Sequence, residues 1–523
     1  MGAGEQDGSG AGDGSGAGDG WAGDRWAVAR GGTARERSES DAERPEHDAK
    51  QPESDAERPE SDAERPERDA VPPPEDDAPA QPGGGDAWQP YRKLGDVDRA
   101  SLAVWGATRL GMVVLAWISA WVFITGPTKP GPWLARWDRW DEGIFLNIAQ
   151  HGYFAAGSDP RHVAFFPGFP VAVRLAHLFV WNWVAAGLAV SLGAGAVATV
   201  ALGRLAAEEM ERTRRWGVGA SLADPASLGS PSSPSSPGSP GSPGSPGSPG
   251  SPGSPGSPGR FARTHAAQAA ANATFFFALA PAAVFLAAGY SESLFAAFAF
   301  SAWLAARRDR WALAVVLAAG ASTVRVNGLF LAAAIALEFV LAGRGRGNGR
   351  GNGPARRRWR QAPLLAVPLL PVAAYMTYLH HHTGDWAAWQ HAQAAGWFRT
   401  FRNPKYAWDQ TWRAAFGASQ AGHTAWVFQL ELLAVVVGVA LTVVLLVKRR
   451  WPEALYVALS LFALGTTTWF MSVPRAMLLW WPLWTMLGTW AVRRPMVRTL
   501  YVCCVAPVMA GVALLFLSGQ WAG

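Results

Sequence analysis

Beyond Ser101 the chain is a succession of apolar blocks, most of them near the roughly 20 residues that a helix needs to cross a bilayer. They lie at 101–124, 163–180, 183–203, 266–289, 291–306, 312–341, 362–379, 425–447, 453–471, 476–492 and 499–518. This pattern predicts an all-α polytopic membrane protein, a helical bundle of about eleven spans. The first hundred residues differ. They hold almost no large aliphatic side chains and repeat the unit ESDAERP, at Glu39, Glu53 and Glu60. A seven-residue repeat suggests a coiled coil, but only Ala recurs as an apolar position and Pro recurs in every unit, so no seam exists. Residues 1–100 are therefore expected to be a disordered acidic tail, and 101–523 a membrane domain. The first apolar run comes too late for a cleavable export signal, so the first membrane helix is expected to direct insertion. Two interruptions read as mobile linkers outside the hydrocarbon: the Ser-Pro-Gly repeat 230–259 and the Gly/Arg/Asn-rich basic loop 343–358.

Composition agrees with lipid as the solvent: 49% of residues are apolar, only 16% are charged, and there are 28 Trp. The net charge of +6 conceals two differently charged parts, because residues 1–100 carry 25 acids and 12 bases whereas 101–523 carry 15 acids and 34 bases. The two cysteines, the adjacent Cys503 and Cys504, exclude a disulfide framework and a Cys-rich zinc site. Basic loops resist translocation, so 343–358, Lys448–Arg450 and Arg493–Arg494 are expected in the cytoplasm. Arg beside membrane spans is explained by orientation and anionic lipid, which makes membrane lipids the expected partner and nucleic acid not one. Simple alternation puts Arg307, Arg308 and Arg310 outside. Two changes together repair this: 163–180, which opens Phe-Phe-Pro-Gly-Phe-Pro, does not fully cross, and 312–341 is a pair of short helices broken at Arg325-Val326-Asn327. With or without these changes, residues 125–162 and 380–424 face the extracytoplasmic side.

Ionisable groups at a membrane edge are costly and are functional candidates by default. Arg136-Trp137-Asp138-Arg139-Trp140-Asp141-Glu142 packs three carboxylates between aromatic rings directly after the first span. The stretch that follows is expected to form an amphipathic helix on the membrane, with Phe145, Ile148 and Ala149 on one face. Interfacial anchoring by Trp, or salt bridges from Asp141 to Arg136 or Arg139, would explain the cluster without chemistry. Glu292 is an acid in an apolar stretch, placed to orient an acceptor or, with Ser291, to cap a helix start. His380-His381-His382 invites a metal site, but three consecutive His cannot all aim at one ion, so no metal is expected.

The run WDEGIFLNIAQHGY at 140–153 followed by AFFPGFP resembles the first extracytoplasmic loop of the PIG-V type mannosyltransferases. Further matches follow in order: Tyr290-Ser291-Glu292-Ser293-Leu294-Phe295, Arg325 before Gly328, Gly384-Asp385 with Gln393 and Trp397, and Pro474-Arg475. Together they extend over 101–495. Ile144 and Ala476 stand where an aromatic residue is common in the family. The resemblance implies a GT-C glycosyltransferase fold and a polyprenyl-phosphate sugar donor, usually mannose, used outside the cytoplasm on an acceptor the sequence does not identify. No cofactor beyond that lipid-linked donor is expected. The family's Trp-Asp pair falls on Trp140-Asp141, with Trp137-Asp138 a near duplicate, so a catalytic carboxylate is expected at Asp141 or Asp138.

An inverting transfer needs a base for the acceptor hydroxyl and cations for the leaving phosphate. Asp141 suits the base because it lies at the membrane edge, where the donor's phosphate must sit. Arg325, Arg475, His151 and Arg161 are the candidate phosphate ligands, and Arg is favoured by its planar fork. Trp140, Glu142, Tyr153, Glu292, Asp385, Gln393 and Trp397 are the candidate substrate contacts, Asp385 through sugar hydroxyls. The expected location is the cell membrane, multi-pass, with the site on the extracytoplasmic side. Two rivals fit many spans as well: a lipid-linked glycan transporter or flippase, and a non-catalytic membrane scaffold. A transporter predicts an inverted repeat, and none is apparent.

Overall fold

The computed structural model describes residues 95–122, 133–222, 258–344, 359–418, 420 and 422–523. Residues 1–94 of the acidic tail, the Ser-Pro-Gly repeat up to residue 257 and nearly all of the basic loop 343–358 lie outside them; the tail's expected boundary at residue 100 moves back, because Asp96–Ala100 already form the first turns of a helix and Asp98 pairs with Arg204. Every element within them is helical, as the unbroken apolar blocks predict: α1 (Asp96–Val122), α2 (Asp141–His151), α3 (Gly168–His177), α4 (Trp183–Leu222), α5 (Pro258–Ala278), α6 (Ser291–Arg307), α7 (Trp311–Val324), α8 (Asn327–Arg344), α9 (Leu370–Thr383), α10 (Ala388–Trp397), α11 (Pro404–Phe416), α12 (Gly422–Val447), α13 (Trp451–Gly465), α14 (Val473–Met477), α15 (Trp481–Arg493) and α16 (Met496–Leu517). Five of the described helices are long and apolar enough to cross a membrane: α1, α4, a 3₁₀ turn joined to α9 over 362–383, α12 and α16. That is fewer than eleven continuous spans, because several apolar blocks are divided. Residues 163–180 form only a 3₁₀ turn and the ten-residue α3, about 15 Å long and too short to cross. Residues 312–341 break at Arg325-Val326, as expected. The blocks at 453–471 and 476–492 shorten to α13 and to the pair α14 and α15.

The charged residues sort to two ends. At one end Arg204 pairs with Asp98 at 2.8 Å, Arg308 with Glu208 at 2.8 Å, Arg450 with Glu209 at 3.0 Å and Arg307 with Glu338 at 3.8 Å. Glu208 and Glu209 are neighbours on α4, so Arg307–Arg310 and Lys448–Arg450 share that end. α6 runs from there over about 24 Å to Ser291, and α7 returns to the same level at Arg325. The opposite end is therefore where Ser291 and Arg325 meet.

Between the ends the core is aromatic and close-packed. Trp303, Trp480, Trp481 and Trp484 are fully buried. Small residues permit the approach of α1 and α4: a Cβ on Gly195 would overlap the Trp105 ring and one on Gly203 the Ser101 hydroxyl.

Candidate active site

The motif residues Asp141, Glu292, Arg325 and Arg475 converge, although they come from four separate parts of the chain. Arg475 is the hub. Its Nη1 donates to Asp141 Oδ2 at 2.9 Å, and its Nε and Nη2 lie 2.8 and 2.7 Å from Glu292 Oε1. Arg325 Nη1 donates to the same Glu292 oxygen at 2.8 Å and to Ser291 Oγ at 2.9 Å. Glu292 is fully buried and its Oε2 has no partner. A carboxylate in an apolar bundle is tolerated when two guanidinium groups pair with it, which explains why Glu292 sits in an otherwise apolar stretch. It does not cap α6, because Ser291 accepts from Arg325 and the N-cap position is Tyr290. The Arg475 guanidinium also stacks on Phe285 and Tyr290, 4.7 and 4.9 Å from the ring centroids.

Backbone constraints hold these side chains. Trp140, immediately before Asp141, has φ 54°, a strained conformation for a bulky residue. Asp141 opens α2, where the helix N-terminus favours an anion. Its carboxyl is 18% exposed, and Oδ1 has no hydrogen-bond partner among the described residues. On the far side Ser472 has φ 65°, and the turn it starts is fastened by Glu431, a fully buried acid of α12 that accepts from Ser472 and Val473 N–H at 2.8 Å each. Glu431 belongs to none of the sequence motifs, although a lone acid in a 26-residue apolar helix is the signal that finds it.

Glu142 is buried rather than presented to substrate. Its Oε2 accepts from Gly289 N–H at 3.1 Å, Oε1 is unpartnered, and burial pushes its carboxyl well above the ordinary carboxylate range. A side chain at residue 289 would overlap this carboxyl, so Gly is required there. Asp138 is exposed and has no ion-pair partner among the described residues. The salt bridges from Asp141 to Arg136 or Arg139 do not form; its partner is Arg475.

The helix predicted after Asp141 is α2, but its apolar face meets protein instead of lipid: Phe145 packs edge-on against Phe165 and Phe169, 5.0 Å from each. His151 is exposed at the last turn of α2, about 15 Å along the helix from Asp141. Arg161 is taken by Asp159, through Nε at 2.9 Å and Nη2 at 2.5 Å. Neither joins the cluster. Tyr153 and Gln393 spend their polar groups on backbone. Tyr153 O–H donates to the Phe165 carbonyl at 2.8 Å, and Gln393 and Trp389 donate to the Ala164 carbonyl at 3.1 Å each. Trp397 packs on Phe165 with ring centroids 5.0 Å apart. These residues brace the Phe-Phe-Pro turn and do not line the carboxylate cluster. Asp385 is occupied by His391 at 2.7 Å and by Ala387 N–H, which hold its carboxyl below the usual range. Trp140 is 54% exposed beside the cluster. Two of the three histidines stack on rings, His380 on Trp386 and His382 on Phe154, and so diverge.

Comparison with curated proteins and with solved structures returned no match. A family model described as Mannosyltransferase (PIG-V) matches residues 260–342, a minor part of the chain. That stretch runs from α5 to α8 and supplies Ser291, Glu292 and Arg325 to the cluster; Asp141 and Arg475 lie outside it. That match at the cluster, together with helices long enough to cross a bilayer, makes the chain similar over this stretch to the PIG-V mannosyltransferases and supports a membrane glycosyltransferase.

Proposed function

We propose that the protein transfers mannose, with inversion, from a polyprenyl-phosphate donor to the hydroxyl of an acceptor on the extracytoplasmic side. The observation that carries this is Asp141. It is held through Oδ2 by Arg475 and leaves Oδ1 open beside a second guanidinium pair. In a single displacement Oδ1 takes the acceptor's hydroxyl proton while the acceptor oxygen bonds to the sugar's anomeric carbon. The bond from that carbon to phosphate oxygen breaks, and its electron pair leaves with the lipid phosphate. Among the described residues nothing pairs with Arg325 Nε and Nη2, which can meet that charge. The side follows from charge: the end bearing Arg307–Arg310 and Lys448–Arg450 belongs in the cytoplasm by the positive-inside bias, and the cluster lies at the other end of α6. Reconstituted protein should transfer labelled mannose from polyprenyl-phosphate mannose into a membrane-lipid or glycan fraction. Transfer from a nucleotide sugar alone would overturn the donor assignment.

A further inference from the structure

Charge in the cluster is nearly spent. Asp141 and Glu292 between them neutralise Arg475 and Arg325, so neither arginine brings an unpaired charge to an incoming phosphate. A third arginine does. Arg399 follows Phe398, the residue that ends α10 in the left-handed conformation with φ 54°. The segment after it is laced to the strap that carries Arg475: Thr468 Oγ1 donates to the Phe398 carbonyl at 2.7 Å, and Arg402 N–H donates to the Thr466 carbonyl at 2.8 Å. Arg399 is partly buried, and among the described residues no carboxylate lies within ion-pair distance of it. Glu431 faces it, but both its oxygens are occupied by the Ser472 and Val473 N–H groups. Arg325, Arg475 and Asp141 face it as well.

We infer that Arg399 is the cation that receives the donor's phosphate, completing a site in which Arg475 positions Asp141 and Arg325 offers its open edge. This rests on the polyprenyl-phosphate reading above and names the residue that recognises the phosphate. Burial and the facing Arg325 and Arg475 bring the Arg399 guanidinium down to about 10, which leaves it charged at neutral pH and uncompensated until an anion arrives. The donor is a phosphodiester with one negative charge, and the lipid phosphate released from it gains up to a second. A guanidinium fork therefore gains most where that charge develops.

The full-length protein in lipid nanodiscs would be titrated with polyprenyl phosphate and with the polyprenol of the same length. The ratio of the two affinities reads phosphate recognition apart from lipid-tail binding. Arg399→Gln should lower that ratio about 10- to 100-fold, the range for a lost charge-assisted pair, with polyprenol affinity unchanged. Arg399→Lys keeps the charge but not the fork and should fall between; it also serves if the Gln variant does not fold. Arg402→Gln, an exposed neighbour, should leave the ratio alone. A wild-type ratio in Arg399→Gln, or in Arg399→Lys where only that variant folds, overturns the assignment and leaves the donor reading standing. An equal fall in Arg402→Gln overturns it too, because general surface charge would suffice. If the wild-type protein does not prefer the phosphate, the donor reading fails and this inference with it.

Discussion

Asp141→Asn separates catalysis from architecture, because the two contributions differ in size. The amide keeps an oxygen for Arg475 Nη1, now 2.9 Å from Asp141 Oδ2, so the hub arginine retains both of its attachments. Converting that charge-assisted bond to one with a neutral acceptor costs about 1 kcal/mol. Loss of a general base typically costs ~10²–10⁴-fold in rate, or roughly 3–5 kcal/mol of barrier. The turnover number should therefore fall 10²–10⁴-fold, while thermal stability changes little and donor binding hardly at all. Asp138→Asn, at an exposed residue with no ion-pair partner among the described residues, should cost less than about tenfold, the scale of a lost surface interaction. The assay is transfer from labelled polyprenyl-phosphate mannose at saturating donor, with melting temperatures measured on the same preparations. Near-full turnover in Asp141→Asn with loss in Asp138→Asn would reverse the two roles. If both variants stayed active, no carboxylate of this loop would be the base.

Glu142 keeps its proton in the folded protein at pH values where the unfolded chain has released it, so its contribution to stability declines as pH rises above about 4.5. Glu142→Gln lacks that proton, and its melting temperature should gain on wild type between about pH 5 and pH 7; parallel curves would show that Glu142 is not held protonated. Glu431→Gln replaces one of two backbone acceptors with a donor facing an N–H, so it should destabilise by about 1–3 kcal/mol and lower turnover through displaced Arg475; unaltered unfolding would remove Glu431 from that role. In a variant without Cys503 and Cys504, a cysteine at Trp386, 62% exposed in the segment that the proposed orientation puts outside, should react with an impermeant maleimide applied to intact cells. One at Arg308 should be shielded, and outside labelling there would invert the orientation.

Helical class, the acidic tail's separateness in charge and the break at Arg325 are all legible in the sequence, because bilayer length and local chemistry act over neighbouring residues. The refusal of 163–180 to cross is legible for the same reason: two prolines and a glycine interrupt it within six residues. The catalytic candidates are legible as types. Acids are few in the membrane domain, so Asp141, Glu292, Arg325 and Arg475 stand out one by one. Their partners do not. Asp141 has Arg136 and Arg139 close in sequence, yet it pairs with a residue 334 positions away. Polar motif residues look alike whether they meet a sugar or a carbonyl, and only the folded chain shows that Tyr153 and Gln393 serve the backbone of residues 164 and 165. Arg399 belongs to no motif and becomes visible only when the 398–402 segment is laced to the strap carrying Arg475. The sequence by itself determines which groups are too costly to place in lipid without a purpose. Tertiary structure decides which of them neutralise each other and which is left with charge to offer, because ion pairing depends on distances of a few ångströms that chain separation does not encode.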